Sequence, residues 1–135
     1  MPDSDTVRTA LKFVNEINRH DVDSLVALLS DDHLFVDGLG QEFRGKEKVR
    51  DGWAANFAWF PDYHLAVKEW FQNGRVVGMF GVASGTFAVG AELPVQNRWK
   101  SPAAWRAVIR DHQVAQWSVY SDSEPLWKVM GVKRY

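Results

Sequence analysis

The 135-residue sequence contains no cysteine. Disulfides, thiol catalysis and zinc sites built on thiolates are therefore excluded, and we expect a protein of the reducing cytoplasm. The sequence also lacks a basic stripe, since its net charge is −1 and its pI is near 6.4. Phosphate binding needs clustered Lys or Arg, so no nucleic-acid partner is expected. No apolar run reaches membrane-span length and the N-terminus is acidic and polar, so neither a membrane partner nor a signal peptide is predicted.

Motifs for metals, cofactors and nucleophiles are missing as well. The histidines lack the spacing of paired metal ligands; they are His20, His33, His64 and His112. The strand glycines of residues 78–85 do not open a helix, so they form no nucleotide-binding loop. No Ser or Thr has the Gly-x-Ser-x-Gly context of a hydrolase nucleophile. We therefore expect no metal and no cofactor, and we expect His33 at the surface.

Aromatic side chains, in contrast, are abundant. Seven Trp and eight Phe stand in a chain that is 46% hydrophobic. Such rings line cores, pockets or interfaces. The length and composition predict one domain over residues 1–135 with a substantial core.

Helical spacing of apolar residues predicts three helices in the first half of the chain. The first begins at Ser4 or Asp5 and closes at 18–20, and Asp21 caps a second that runs to 31–32. A short strand over 33–37 and a hairpin partner over 41–43 follow. The third helix spans 45–60, with the apolar stripe Val49, Trp53, Phe57 and Phe60, and Pro61 stops it.

After Pro61 the hydrophobic period changes to two, which predicts strands over 64–72, 75–88, 99–110 and 114–122. Asn73-Gly74 is a hairpin signal, and glycines within the second strand indicate bends or bulges. A tail helix is expected over 125–130. Helices followed by a strongly curved, mainly antiparallel sheet predict an α+β fold with the helices on one face.

Several stretches of the chain resemble the SnoaL-like and ketosteroid isomerase-like families of the nuclear-transport-factor-two-like superfamily. They are residues 16–32, 35–38 with 43–46, 103–109 and 117–122. The resemblance implies a cone-shaped α+β barrel, usually dimeric, with a cavity between the helices and the concave face of the sheet. It specifies the reaction poorly, because this fold hosts isomerases, cyclases, epoxide hydrolases and non-catalytic binders.

Asp37 falls on the position of the isomerase's general base, an aspartate after the first strand. By itself, a carboxylate before Gly38 is typical of a solvated turn. Enclosure by aromatic rings raises the pKa of a carboxyl group, so that it accepts a proton more readily. The two alternatives for Asp37 are therefore a solvated turn residue and a general base in a pocket. His33 has the same strand parity and would orient Asp37 only through a bulge. The family's two oxyanion donors, a tyrosine and an aspartic acid, align with Phe13 and Trp105, so strong oxyanion stabilisation is not predicted.

Asp122 lies near the catalytic aspartate of SnoaL-type polyketide cyclases. Strand parity puts Trp117 on the inward face and Asp122 on the outward face. The alternative to a catalytic role for Asp122 is therefore that it caps the following helix, before Glu124. The resemblance and the aromatic pattern together give the candidate substrate-binding residues: Phe13, Trp53, Phe57, Trp105 and Trp117.

The first functional hypothesis is a cofactor-independent isomerase or polyketide cyclase-like lyase. In this reading Asp37 takes a proton next to a carbonyl of an apolar small molecule, and the indole N–H of Trp53 donates to the ligand or to Asp37. The second is a non-catalytic binding or assembly module with the same cavity. The third, an epoxide hydrolase, needs a converging arginine, and Arg106 has the wrong parity. A sheet face bearing Trp70, Tyr120 or Trp99 would suit a homodimer.

Overall fold

The computed structural model describes residues 4–131 and has the predicted α+β architecture. Its helices are α1 (Asp5–Arg19), α2 (Val22–Ala27), α3 (Lys46–Trp59) and α4 (Glu124–Met130), with a 3₁₀ turn at Val95–Asn97. Its strands are β1 (Leu29–Val36), β2 (Glu42–Arg44), β3 (His64–Asn73), β4 (Val76–Thr86), β5 (Arg98–Arg110) and β6 (Gln113–Ser121). In residues 4–131, no helix is both long and apolar enough to span a membrane.

Side-chain caps define the first two helices as the sequence predicts. The Ser4 hydroxyl accepts from the Val7 N–H at 3.1 Å, and the Asp21 carboxylate accepts from the Ser24 N–H at 3.0 Å. These satisfy N–H groups that a helix start leaves unpaired. The bonds from Ser24 hold the pKa of Asp21 below its usual range. His20 closes α1 in a left-handed conformation with φ 57°.

The prediction that α2 extends to Asp31–Asp32 was wrong. The helix ends at Ala27, and β1 begins at Leu29 rather than at His33. Leu29 lies opposite Val114 of β6, so a pairing partner far along the chain decides where the helix stops. Both aspartates are exposed on β1, where Asp31 pairs with Lys46 and Asp32 pairs with Arg110.

All six strands form one curved, unclosed sheet in the order β2-β1-β6-β5-β4-β3. The pairing is antiparallel throughout except between β1 and β6, which are parallel. The predicted Asn73-Gly74 hairpin joins β3 to β4, with Gly74 at φ 61°. Asp111 and His112, with φ 52° and 61°, form the tight turn between β5 and β6.

A bulge between Val67 and Glu69 of β3 interrupts its pairing with β4 and bends the sheet there. At this point the β3 backbone approaches Gly81 so closely that a Cβ there would lie 1.9 Å from the Ala66 carbonyl oxygen. Only glycine fits this position, which explains one of the strand glycines seen in the sequence.

The helices cover the concave face of the sheet and enclose one contiguous hydrophobic core. Inward side chains of the sheet include Met79, Trp105 and Trp117, each at most 1% exposed. From the helices come Phe13 and the predicted α3 stripe, all of it buried. The expectation that Trp99 lies at a surface or interface was wrong, because Trp99 is 6% exposed and packs edge-on to Phe60.

Candidate functional site

The interior of the curved sheet holds a cluster of rings around Phe13 of α1. The Phe13 ring contacts Trp117 of β6, Trp53 of α3 and His33 of β1, with centroid separations of 4.9, 6.3 and 6.5 Å. Trp53 also contacts Phe35 of β1 at 5.7 Å in an edge-on arrangement. Three different elements therefore converge on the Phe13 ring of α1, at separations that aromatic pairs favour.

This interior is unusual because many of its polar atoms lack partners. Within residues 4–131, the indole nitrogens of four buried tryptophans have no hydrogen-bond partner: Trp53, Trp99, Trp105 and Trp117. The same holds for His33 Nε2 and Asn56 Nδ2. Leaving a buried polar group unpaired costs about 1–3 kcal/mol, so most native interiors avoid it. Three of these atoms, in His33, Trp53 and Trp117, belong to rings that contact Phe13.

His33 reaches this interior through an irregularity in β1. Leu29 pairs with Val114 and Leu34 with Gln116, so four residues of β1 but only one of β6 lie between these pairs and the pairing register shifts. Asp31 and Asp32 are turned outward in this segment, and His33 is turned inward with no exposed surface. The expectation of a surface His33 was therefore wrong. The parity that His33 shares with Phe35 was the one signal in the sequence that could have indicated its burial. The bulge that turns His33 inward, however, depends on the pairing of β1 with β6.

One hydrogen bond defines the state of the His33 ring. Its Nδ1 lies 2.7 Å from the Val114 carbonyl oxygen, which only accepts, so Nδ1 carries the proton. Burial lowers the pKa of His33 below 6.5, outweighing the bond to Val114 and the Asp32 charge. The ring is therefore neutral near pH 7, and Nε2 presents a lone pair to the interior.

Acid is expected to destabilise the protein through His33. Because the folded-state pKa lies below 6.5, this contribution is complete above about pH 6.5 and is lost as pH falls toward the folded value, since only the unfolded chain takes up the proton. The slope is at most about 1.4 kcal/mol per pH unit. Urea unfolding of wild type and His33→Gln from about pH 5 to 7 measures it. A His33→Gln slope equal to that of wild type would contradict this assignment.

Asp37 follows β1 directly, at the same strand parity as His33 and Phe35. Its Oδ1 accepts from the N–H groups of Leu39 and Gln41 at 2.9 and 3.0 Å. This is the turn geometry that an aspartate before glycine favours. No bond to Oδ2 is found within residues 4–131, and the side chain is half-buried.

Asp122 is exposed and lies just after β6, at the start of α4. Its Oδ1 accepts from the Glu124 N–H at 3.0 Å, and its carbonyl oxygen accepts from the Ser101 hydroxyl at 2.6 Å. These bonds join the sheet to the last helix, and the outward position agrees with the strand-parity argument.

The candidate substrate-binding rings are not all in one place. Phe13, Trp53 and Trp117 belong to the ring cluster. Trp105 lies on the same inner face of the sheet, opposite Met79 and Val119. Phe57 adjoins the cluster through Trp53, with ring centroids 5.6 Å apart, and stacks on His20 at 4.2 Å. The indole N–H of Trp53 does not donate to Asp37.

Two clefts lie on the outside of the molecule. One, of about 290 Å³, lies between the start of α1 and the β5–β6 turn, and Arg75 and Arg110 line it. The other, of about 370 Å³, lies between the end of α1 and the α3–β3 connection, beside Tyr63. Burial raises the pKa of Tyr63 to about 12, so it stays protonated. Within residues 4–131, no group of three or more potential ligands could hold a metal ion.

Solved structures confirm this fold at low sequence identity. A protein of Shewanella putrefaciens CN-32 described as a SnoaL-like polyketide cyclase is 14% identical, with a TM-score of 0.82 over 96% of this chain and 98% of that one. A Catenulispora acidiphila protein with a ketosteroid isomerase-like fold is 16% identical, with a TM-score of 0.78 over 93% of each chain. An M. tuberculosis LEH-like epoxide hydrolase is 15% identical, with a TM-score of 0.76 over 93% of this chain and 88% of that one.

Comparison of the sequence with known proteins identifies its family. No curated protein matches the chain. A family model does match, that of the SnoaL-like domain, and it covers residues 10–117, which include the ring cluster, His33 and Asp37. The chain therefore belongs to the SnoaL-like domain family, as its sequence pattern indicated.

Proposed function

We propose that the protein is a cofactor-independent isomerase or cyclase that acts on an apolar, carbonyl-containing small molecule. Asp37 removes a proton from the carbon next to the carbonyl, and the interior rings hold the rest of the molecule. The observation that carries the proposal is the position of Asp37 directly after β1, at the strand parity of Phe35 and His33, whose rings lie on the inner face. This face leads from the end of β1 into the ring cluster.

A continuous run of rings supports a route for an apolar ligand from the surface to the interior. Phe43 of β2 is 38% exposed and lies opposite Phe35, with ring centroids 6.1 Å apart. Phe35 contacts Trp53, which in turn contacts Phe13. Since the β1–β2 turn carries Asp37, a planar ligand that entered along this route would pass beside the carboxylate.

The hydrogen bonds of Asp37 are compatible with a general base. The N–H groups of Leu39 and Gln41 hold Oδ1 and so orient the carboxylate without consuming both oxygens. Oδ2 would accept the substrate proton and return it at a second carbon. A positioned base of this kind contributes typically ~10²–10⁴-fold, so one carboxylate is enough for modest activity.

Charge on the developing enolate oxygen would be stabilised by indole donors. By the family resemblance, Phe13 and Trp105 stand at the positions of the isomerase tyrosine and aspartic acid. The buried indole N–H of Trp105 has no partner among the described residues, so it is available to the enolate oxygen. A neutral indole is a weaker donor than a protonated carboxylic acid, and we expect a correspondingly lower rate.

Other chemistries of the fold have less support in this chain. Epoxide opening needs an arginine that converges with carboxylates, whereas Arg106 lies opposite Gly78 and Ser118 on the outer row of the sheet. A non-catalytic binding module would use the same ring cluster without Asp37. Turnover by wild type and its loss in Asp37→Asn separate the enzyme from the binding module.

We also propose that the protein is a homodimer of the cytoplasm. The outer face of the sheet carries Phe71, Phe80 and Tyr120, which are 62%, 45% and 58% exposed. Phe80 and Tyr120 both flank Ala104 in one cross-strand row, and the Phe71 ring lies 6.1 Å from that of Phe80. Trp70 belongs to the inner row with Met79, so it is not part of this surface.

A charge on the outer face is expected to separate the dimer. Phe80→Arg should sediment as a monomer, because a buried unpaired guanidinium opposes association. Trp59→Arg, which alters an exposed side chain of α3 instead, should remain dimeric. Analytical ultracentrifugation at one protein concentration compares them. A wild-type protein that is monomeric would contradict the proposal.

A further inference from the structure

The outer face of the sheet carries two opposite charges on either side of its exposed phenylalanines. Arg106 of β5 lies opposite Gly78 of β4, and Glu69 of β3 lies opposite Phe80 of β4. Arg106 is half-buried and Glu69 is exposed. Within residues 4–131, neither side chain forms an ion pair. Both charges are therefore free to pair with groups of another molecule.

Any partner that covers Phe80 also covers Arg106. The Phe80 ring leans over Gly78, with its Cε2 atom 3.9 Å from the place where a Cβ of that glycine would lie. Gly78 is the β4 neighbour of Arg106, so the ring and the guanidinium are side by side. Burying an unpaired guanidinium opposes association, because the charge loses its water without gaining a counter-charge. The surface that packs on Phe80 must therefore supply a carboxylate to Arg106.

Two carboxylates in the paired outer rows of the sheet could serve this role in a second copy of the chain. Glu42 lies at the far edge, on β2, so a symmetry axis midway between it and Arg106 would lie over β6 and β1. Such an axis would leave Phe71 and Phe80 away from the centre of the contact. Glu69 lies on the other side of β4 from Arg106, with the Phe80 ring between them. The position of the exposed rings therefore selects Glu69.

We propose that two copies of the chain pack outer face against outer face, with Arg106 of each copy paired to Glu69 of the other. This inference rests on the proposed homodimer and specifies its register. In a two-fold dimer each contact occurs twice, since the residue that binds on one copy is bound on the other. The axis must then pass midway between Arg106 and Glu69, which is over β4 between Gly78 and Phe80.

The dimensions of a sheet fit this register. Arg106 and Glu69 are two strand spacings and one row apart, which is roughly 12 Å between their Cα atoms. Each therefore lies about 6 Å from the axis, on opposite sides of it. Facing sheets stack about 10 Å apart, a gap that an arginine and a glutamate side chain span together. The two Phe80 rings meet at the centre, where Gly78 leaves them room.

Charge reversal at each position tests the register. Arg106→Glu and Glu69→Arg should each raise the dimer dissociation constant at least ~100-fold, because like charges then face each other at both contacts. An equimolar mixture of the two variants should form a heterodimer with a dissociation constant within about tenfold of wild type. In that heterodimer both contacts join a glutamate to an arginine. Sedimentation of the mixture and of each variant alone, over one range of protein concentration, measures all three constants.

Two further variants provide a control and a second test. Lys48→Glu makes the same change of charge at an exposed position of α3, away from the outer face, and should dimerise as wild type does. If Arg106→Glu does not fold, Phe80→Cys tests the axis, because the chain has no other cysteine. A short bis-maleimide crosslinker should join two copies of Phe80→Cys, whereas Trp59→Cys, on α3, should stay uncrosslinked.

The outcomes separate this inference from the proposals on which it rests. If wild type is dimeric and the mixture of the two variants stays monomeric, the register is wrong and the homodimer stands. Recovery of the dimer in the double variant Arg106→Glu/Glu69→Arg, but not in the mixture, would place the contact within one chain and would also overturn the inference. A monomeric wild type would reject the homodimer and the register together. The catalytic proposal is tested separately, through Asp37→Asn.

Discussion

Replacing Asp37 with asparagine is expected to lower turnover by ~10²–10⁴-fold and to leave ligand affinity within about threefold of wild type. Asparagine is nearly the same size as aspartate, and its side-chain oxygen still accepts from the N–H groups of Leu39 and Gln41. The turn is therefore retained, and the change removes only the capacity to take a proton. Steady-state rates on an apolar carbonyl-containing substrate, together with direct binding measurements, give both quantities.

Asp122→Asn is the matched control for this experiment. It makes the same chemical change at the other candidate aspartate, which the structure shows exposed at the start of α4 and bonded to the Glu124 N–H. We expect its turnover to stay within about twofold of wild type. The reverse pattern, with Asp122→Asn inactive and Asp37→Asn active, would transfer the catalytic role to Asp122.

The second large effect is expected on stability, from Phe13→Ala. Phe13 has no exposed surface and contacts Trp53, Trp117 and His33, so its removal leaves a cavity in the middle of the ring cluster. Truncations of buried aromatic side chains cost about 3–5 kcal/mol of unfolding free energy. Urea denaturation near pH 7 measures the change.

Trp59→Ala is the control for the packing argument. It removes a larger ring, but one that is 50% exposed at the end of α3. Its cost should be below about 1 kcal/mol. If Phe13→Ala and Trp59→Ala destabilised the protein equally, the ring cluster would not be the structural centre of the domain.

Features that depend on local chemistry were predictable from the sequence. Ser4 and Asp21 cap helices because their side chains reach N–H groups only three residues away. Pro61 ends α3, and Asn73-Gly74 turns the chain between β3 and β4. The inward face of β6 likewise followed from simple alternation around Trp117.

Features that depend on distant pairing were not predictable. The end of α2 and the bulge that buries His33 both depend on β1 lying beside β6, about 85 residues further along the chain. No local pattern around His33 indicates that bulge, and the neighbouring exposed aspartates favour a surface interpretation. Trp99 was misplaced for a similar reason, since its burial depends on packing against Phe60 and Gly85.

The turn at Asp37 was predictable from local chemistry, whereas its role as a base comes from the family resemblance and stays a prediction. Its residue type and its neighbour Gly38 indicate a turn, and the turn is present. The interior donors and acceptor were hidden, because unpaired polar atoms are a property of the packed structure and not of the pattern.

The central claim is that Asp37 takes a proton from a carbon acid bound over the interior rings. The most direct measurement is deuterium exchange from solvent into the carbon next to the carbonyl of a bound apolar ketone, followed by NMR. We predict that wild type and Asp122→Asn accelerate the exchange while Asp37→Asn, at saturating ligand, does not. Equal exchange rates in wild type and Asp37→Asn would contradict the claim.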